Sequence, residues 1–550
     1  MSKRPNILWI SFEDSNPCYG CYGDKVAQTP NVDQLAAEGC IWPNAYSSAP
    51  VCAPARAGVI TGMYAISVGA QHMRTSHEQE GMPGLPTPYS AVLPAHVKCF
   101  SEYLRAEGYF CTNNIKTDYQ FETPLTAWDE LGFEAHWRNR PDHEQPFFAV
   151  FNFEQSHESN MWEENCKGLV IDPADVELPP YFPDTPRVRE AMARMHSNIA
   201  SNDQRLGELL RQLEEDGLAE NTIVCHWSDH GPLPRGKRWL YDSGLHVPMI
   251  VRWPGQLEPG TVNESLVSTI DLAPTMMSAI GMAPPRHLHG QVFFGPHTDE
   301  PRQYIYASRD RLDSAYDRVR CARDERYKYI RNYFPEKCRA AWQPYMHQHP
   351  IMQEIWRLRT EGKLNELQEE LFFAPSRAPE ELYDTHADPH ELNDLSADPK
   401  FTATLSRLRD SLDSWLREVG DMSELNEFEM VRRWYPDGKQ PQTTAPLPVV
   451  VDVNHPGVDF YQSEEHYQAP AWLMLESSTE GASIAWRYAD DSRDHWRLYT
   501  QPIQLNEGAH RITAKAIRIG YINSEAVSIN LDLKASSKTK VGNYVKAGNV

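Results

Sequence analysis

NILWISF, residues 6–12, is a seven-residue run whose only polar members are Asn6 and Ser11, and it is followed at once by the acidic pair Glu13-Asp14. A run this short and this rich in Ile and aromatic residues predicts a strand buried on both faces, not the half-buried strand that strict alternation would mark. The unit repeats along the chain. TPNVDQLAAEG (29–39) reads as a helix with a threonine cap and a glycine stop, and IWPNAYS (41–47) as the next strand. HVKCFSEYLRAEGYFCTNNI (96–115) is again helix, glycine, strand, and PFFAVFNFE (146–154) and NTIVCHWSD (221–229) are further apolar runs of strand length. Strands separated by helices predict an α/β fold, a mostly parallel sheet flanked by helices on both faces. Ligands in such sheets bind outside the carboxyl ends of the strands, so the residues just after each apolar run are the ones to inspect.

The pattern changes further on. Residues 1–300 carry the α/β signal. Residues 301–435 combine short strands (QYIYASR, RYKYIRNYF) with polar helices such as KFTATLSRLRDSLDSWLREVG, a smaller α+β subdomain. A Pro/Gly/Thr-rich linker at 436–447 precedes alternating segments (AWLMLES, ASIAWRYA, RITAKAIR, VSINLDL) that predict a β-sandwich over 448–535, and 536–550 read as a mobile tail.

Bulk properties exclude several classes. A net charge of −23 over 550 residues argues against a nucleic-acid partner, and an anionic substrate would need a local cationic pocket. No apolar run is long enough to span a bilayer. The opening MSKRPNILWI lacks a signal peptide, which leaves a cytoplasmic protein or a secreted or periplasmic one without its leader as the expectations. Ten cysteines at irregular spacing, all before residue 339, read as reduced, and the C-x-x-C at Cys18 and Cys21 has no second pair at zinc spacing.

At the strand ends stand Glu13, Asp14, Asp229 and His230. Buried acids at such places need a cation, and three carboxylates with an imidazole suit Ca²⁺ or Mg²⁺ better than zinc. Taken singly, each pair is also what a solvated turn would carry. Lys116, Lys237 and Arg56 could clamp an anion, and His157 could act as a general acid. His72 and Arg74, close to Cys52 in sequence, suit the rim of an anion pocket or plain surface.

CAPARAGVITG (52–62) resembles the signature of the type I sulfatases of the alkaline-phosphatase superfamily, Cys-x-Pro-Ser-Arg followed by a hydrophobic residue and Thr-Gly. Cys52, Pro54, Arg56, Thr61 and Gly62 match, and Ala55 replaces the usual serine. The likeness runs through RPNILWISFED with Glu13 where Asp is usual, GYFCTNNIKTDY with Lys116, PFFAVFNFEQSH with His157, the 222–255 segment with Lys237 and His246, and ELYDTHADPHELNDL. It implies that a formylglycine-generating maturation enzyme converts Cys52 to Cα-formylglycine. It also implies one divalent cation, Ca²⁺ with Mg²⁺ as the alternative, held by Glu13, Asp14, Asp229, His230 and residue 52. In that scheme the hydrated aldehyde is the nucleophile, Lys116 and Lys237 hold the sulfuryl oxygens, Arg56 steadies residue 52, and His157 protonates the leaving alcohol. The substrate-binding candidates are His72, Arg74, Asp118 and His246. Asp118 stands where the family has a histidine. The implied substrate is a sulfated oligo- or polysaccharide carrying O- or N-sulfate. The alternatives are a phosphonate or phosphodiester hydrolase of the same superfamily and a catalytically silent glycan-binding protein. The last hundred residues resemble sandwich modules appended to carbohydrate-active enzymes.

Overall fold

The NILWISF run forms the central strand of the computed structural model, which describes residues 4–76, 84–162, 168–340, 342–452, 467–491 and 495–535. The main sheet has eight strands: β1 Asn6–Phe12, β2 Cys40–Ile41, β3 Phe110–Asn114, β4 Glu130–Leu131, β5 Phe147–Phe153, β6 Thr222–Ser228, β7 Met249–Arg252 and β8 Thr261–Val262. Their order is β4-β3-β5-β1-β6-β7-β2-β8. Only β7 runs against its neighbours. The α/β expectation of a mostly parallel sheet is borne out.

Alternation along β1 explains why the strand is apolar throughout. Leu8, Ile10 and Phe12 enter one core with Phe151, Phe153 and the long helix α4 (Pro186–Glu215) through Val188, Met192, Ile199 and Leu206. Ile7 and Trp9 enter the other, with Val59 and Ile60 of α2 (Cys52–Thr61), Phe100 and Leu104 of α3 (Phe100–Ala106), and Leu272 and Met276 of α5 (Leu272–Ala279). Helix α1 (Pro30–Ala37) completes the first layer. The expected strand in IWPNAYS is broken instead. Only Cys40–Ile41 and Ala45–Tyr46 pair, because Pro43 between them cannot donate to a ladder.

Strands β9 Ile305–Arg309, β10 Val319–Arg323, β11 Tyr327–Asn332 and β12 Glu380–Asp384 form an antiparallel sheet. Helix α6 (Thr402–Val419) lays Leu405, Leu408, Leu412 and Trp415 on it. The C-terminal module is two sheets. One joins β13 Leu447–Val451, β15 Ala471–Glu476 and β18 Ile503–Leu505. The other joins β14 Gln468–Ala469, β16 Ser483–Tyr488, β17 Arg497–Leu498, β19 Gly508–Ile517 and β20 Val527–Ala535. The expected tail at 536–550 lies outside the described residues.

The module is not a loose appendage. Ile519 is 6% exposed and belongs to the core beneath α3. Lys98 Nζ donates to Gly481 O (2.6 Å) and Ser483 Oγ (2.9 Å), Arg105 donates to Trp496 O (2.6 Å), and His495 meets Asp129 at 3.0 Å. Burying an isoleucine contributes about 1.5–3 kcal/mol, and exposing it would uncover apolar surface on the catalytic part. A chain ending at Asp437 is therefore expected to aggregate or to melt several degrees below the parent. Thermal denaturation of the purified truncation checks this, and an unchanged Tm would show the interface to be idle.

Candidate active site

Four neighbouring parallel strands deliver the site, because parallel neighbours end on one edge of the sheet. Lys116 follows β3, His157 and Glu158 follow β5, Glu13 and Asp14 follow β1, and Asp229 and His230 follow β6. The acidic turn after β1 is held on both sides. Glu13 N–H donates to Phe153 O at 3.1 Å and Ser156 Oγ donates to Glu13 O at 2.6 Å. Asp14 takes φ 48°, a left-handed conformation that a non-glycine residue keeps only where its surroundings impose it.

Helix α2 brings Cys52 to this edge as its first residue, with Arg56 one turn later. All ten residues of α2 are buried, and Cys52 is 1% exposed. Arg56 is the organising cation. It pairs with Glu13, meets Asp229 Oδ2 at 3.3 Å and donates to Asn152 Oδ1 at 3.0 Å. Cys52 Sγ lies 3.2 Å from His230 Nε2, which is 3.3 Å from Asp14 Oδ1.

Lys237 arrives on the loop after His230. Gly231 and Gly236 make the loop possible, since a Cβ on either would sit 2.0 Å from a backbone oxygen, of Ser243 and Pro232 respectively. Lys237 Nζ donates to Asp14 Oδ2 at 2.7 Å and lies 3.2 Å from both Glu158 Oε1 and His157 Nε2. Arg238 forms a two-pronged pair with Glu158. Lys116 pairs with the second oxygen of Glu13.

Here, then, four carboxylates (Glu13, Asp14, Glu158, Asp229) meet four cations (Arg56, Lys116, Lys237, Arg238). Burial alone would raise the Asp14 and Asp229 carboxyls. Lys237 on Asp14, and His230 and Arg56 on Asp229, hold both below the usual carboxylate range. Burial pushes the Cys52 thiol up to about 12 despite Lys116 and Lys237, so the unmodified side chain is a protonated, inert thiol. Asp14 Oδ1, fully buried, has no hydrogen-bond partner. Asp14, Cys52, Asp229 and His230 offer ligand atoms all within 4.8 Å of one another, as do Glu13, Asp14, Cys52 and His157. A buried carboxylate oxygen that accepts no hydrogen bond, beside the further carboxylates of Glu13 and Asp229, fits a hard divalent cation, with Cys52 Sγ as the soft donor of the set.

This arrangement matches a known family. The sulfatase family model covers residues 5–282, and the model described as N-sulphoglucosamine sulphohydrolase, C-terminal, covers 230–372. The chain belongs to the sulfatase family. It is a sulfuric ester hydrolase. This sulfatase is 40% identical over 573 residues to an ulvan-active sulfatase of Formosa agariphila, covering 96% of this chain and 92% of that one. It is 27% identical to human N-sulphoglucosamine sulphohydrolase, covering 76% and 91%. A solved 2-O GAG sulfatase superposes with a TM-score of 0.57 at 20% identity, covering 77% and 94%.

The sulfatase places its other candidate residues unequally. Arg74, at φ 64°, lies over the Tyr345 ring at 5.7 Å and 3.8 Å from Asp313. Burial works against the charges of Arg74 and Lys116, while the Asp118 carboxylate raises the pKa of both. Asp118 also lines a cavity of about 510 Å³ with Thr117, Gln120, Tyr435 and Gln440. His72 is not on a rim. It is 1% exposed with neither ring nitrogen hydrogen-bonded, and burial lowers its pKa. His246 is also away from the anion pocket. Its Nε2 donates to Pro43 O at 2.6 Å and its ring stacks on Tyr46, so it secures the chain after the Lys237 loop. For His72, short sequence distance to Cys52 did not fix where the side chain goes, because successive side chains of a loop diverge.

Sequence reasoning passed over Asn152, Glu158, Arg238 and Tyr345. Glu158 and Arg238 each adjoin a named residue, which was a usable signal. Tyr345, whose ring centroid is 6.3 Å from that of His157 and 4.9 Å from that of Trp162, comes from a distant segment and left none.

Proposed function

We propose that this sulfatase removes sulfate from a sulfated polysaccharide, acting through a Cα-formylglycine at position 52 and a divalent cation, calcium with magnesium as the alternative. The observation that carries the reading is Cys52 at the buried start of α2, set between the carboxylate-imidazole cluster and two lysines. The 40% identity to an ulvan-active enzyme across nearly the whole chain supports a polysaccharide as substrate. Glu13, Asp14, Asp229, His230 and residue 52 would hold the cation. Bound there, a dication lowers the pKa of a ligand hydroxyl and offsets negative charge on the substrate.

The chain's own residues then divide the work. Arg56 fixes the positions of Glu13 and Asp229 around residue 52. Lys116 and Lys237 offer ammonium donors to the sulfuryl oxygens, where charge-assisted bonds are strongest. Burial and Lys237 hold His157 down to about 3, so it is neutral in the free enzyme. Its Nδ1 lies 2.8 Å from Ser159 Oγ and accepts from Ser159 N–H, and its Nε2 lies 3.2 Å from Lys237 Nζ, so a proton that Nε2 passes to a leaving oxygen would come from the Lys237 ammonium, which is left neutral. With Cys52 this deeply buried, the maturation enzyme must act before the chain folds.

Sulfate release from ulvan and other sulfated polysaccharides, with the aldehyde confirmed by intact mass, tests the reading. Turnover confined to phosphonate or phosphodiester substrates would overturn it. Asp118 gives a second test. We assign it to positioning of the sugar, through Arg74 and the 510 Å³ cavity. Asp118→Ala is expected to raise KM on polymer several-fold with kcat on a small aryl sulfate near the parent value. A fall in kcat on both substrates would instead assign it to the bond-breaking steps.

A further inference from the structure

The C-terminal module presents an aromatic groove that the active site does not use. On β15, Ala471, Leu473 and Leu475 point into the module, so Trp472 points out, and the residue is 39% exposed. Gln504 of β18 stands directly across from it in register. Trp486, on β16 of the other sheet, is partly buried, with its ring edge-on to Tyr488 at 5.3 Å and the Arg497 guanidinium 5.3 Å from its centre. Between the two indoles lies a groove of about 570 Å³, completed by Leu498, Thr500, Gln501 and Gln504.

Among the described residues that line this groove none is charged. Arg497, which lies over the Trp486 ring, is paired with Asp491. Gly481, Ser483, His495, Trp496 and Ile519 carry contacts to the catalytic domain, and none of them lines the groove. An exposed Trp472 indole bordered by amides and a hydroxyl, with Arg497 already laid on Trp486 and paired with Asp491, describes a ligand with flat C–H faces and neutral hydroxyls. Indoles supply large rigid apolar area, and a few polar groups around such a pocket fix orientation. Sulfate groups would find no charged partner among the residues that line it. A neutral pyranoside segment would.

We propose that the Trp472–Trp486 groove is a second saccharide site that holds an unsulfated stretch of the polymer whose sulfate the catalytic domain removes. The ligand's source rests on the polysaccharide reading above, while the groove's chemistry does not. A substrate held at both sites would be retained after each sulfate is released, because the groove reads the part of the chain that the reaction leaves unchanged or creates.

The test is affinity electrophoresis of the full-length protein, of Trp472→Ala and of Gln504→Ala in gels containing ulvan, desulfated ulvan or xylan, with small-aryl-sulfate turnover measured in parallel. The parent is expected to be retarded by desulfated ulvan, and Trp472→Ala to bind on the order of tenfold more weakly, as truncation of a central tryptophan commonly does. Gln504→Ala should show a smaller loss, and aryl sulfate turnover should be unchanged in both. Equal retardation of parent and Trp472→Ala would overturn the proposal, as would a parent that no neutral polysaccharide retards. Self-association of the parent that Trp472→Ala abolishes would overturn it too, assigning the face to a second copy of the chain. Retardation by xylan that depends on Trp472, in a protein that releases no sulfate from ulvan, would support the groove while removing ulvan as the substrate.

Discussion

Cys52→Ala, produced alongside a formylglycine-generating enzyme, is expected to fold and to release sulfate at less than about a thousandth of the parent rate. Losing a covalent nucleophile removes a whole reaction route, and losses of that kind are larger than the loss of a binding contact. The fold should survive because the change deletes a single sulfur atom from a pocket lined by Val51, Ala53, Met73 and Leu312. His230, whose Nε2 meets the thiol, keeps its Nδ1 contact to Gly231 O at 2.9 Å. Parallel measurements of aryl sulfate turnover and Tm decide it. Residual turnover well above that level with an intact fold would mean that residue 52 is not the nucleophile. Cys52→Ser should be as inactive wherever the maturation enzyme accepts only cysteine.

Removal of the cation is expected to abolish activity while costing the fold comparatively little. A ligand bound only by the native state stabilises it by mass action, about 4 kcal/mol at a thousand times its Kd. This site softens the loss through its own cations. Glu13 already rests on Arg56 and Lys116, Asp14 on Lys237, and Asp229 on Arg56, so the stripped cluster is close to charge-balanced. The same pairs explain the loss of activity. Without a dication the two lysines stay engaged by carboxylates, and the anionic substrate meets a neutral pocket. Chelation followed by dialysis should give an inactive protein with a Tm lower by several degrees, and calcium or magnesium should restore both. Full activity in metal-free protein, or stoichiometric zinc in active protein, would overturn the ligand assignment to Glu13, Asp14, Asp229 and His230.

What the sequence determined by itself was local or periodic. Apolar runs of strand length separated by helices announced the parallel sheet, because a strand buried on both faces cannot alternate. The strand-end rule then singled out Glu13, Asp14, Lys116, His157, Asp229 and His230, and the Cys-x-Pro-x-Arg spacing joined Cys52 and Arg56 to them. These residues could be found because a parallel sheet converts position in sequence, just after a strand, into position in space.

Only the tertiary structure decided the rest. The strand order β3-β5-β1-β6 set which strand ends are neighbours, and the pairing of β1 with β5 and β6, across more than 100 residues, is invisible to local pattern. It took the loops' actual paths to remove His72 and His246 from the anion pocket and to bring in Tyr345, since a loop residue's direction follows its φ and ψ and not its distance from a motif. It also took packing to join the C-terminal module to the catalytic domain. Ile519 sits in an alternating strand-like phrase that any sandwich could own, and only the core it enters, beside α3, reveals that it belongs to both domains.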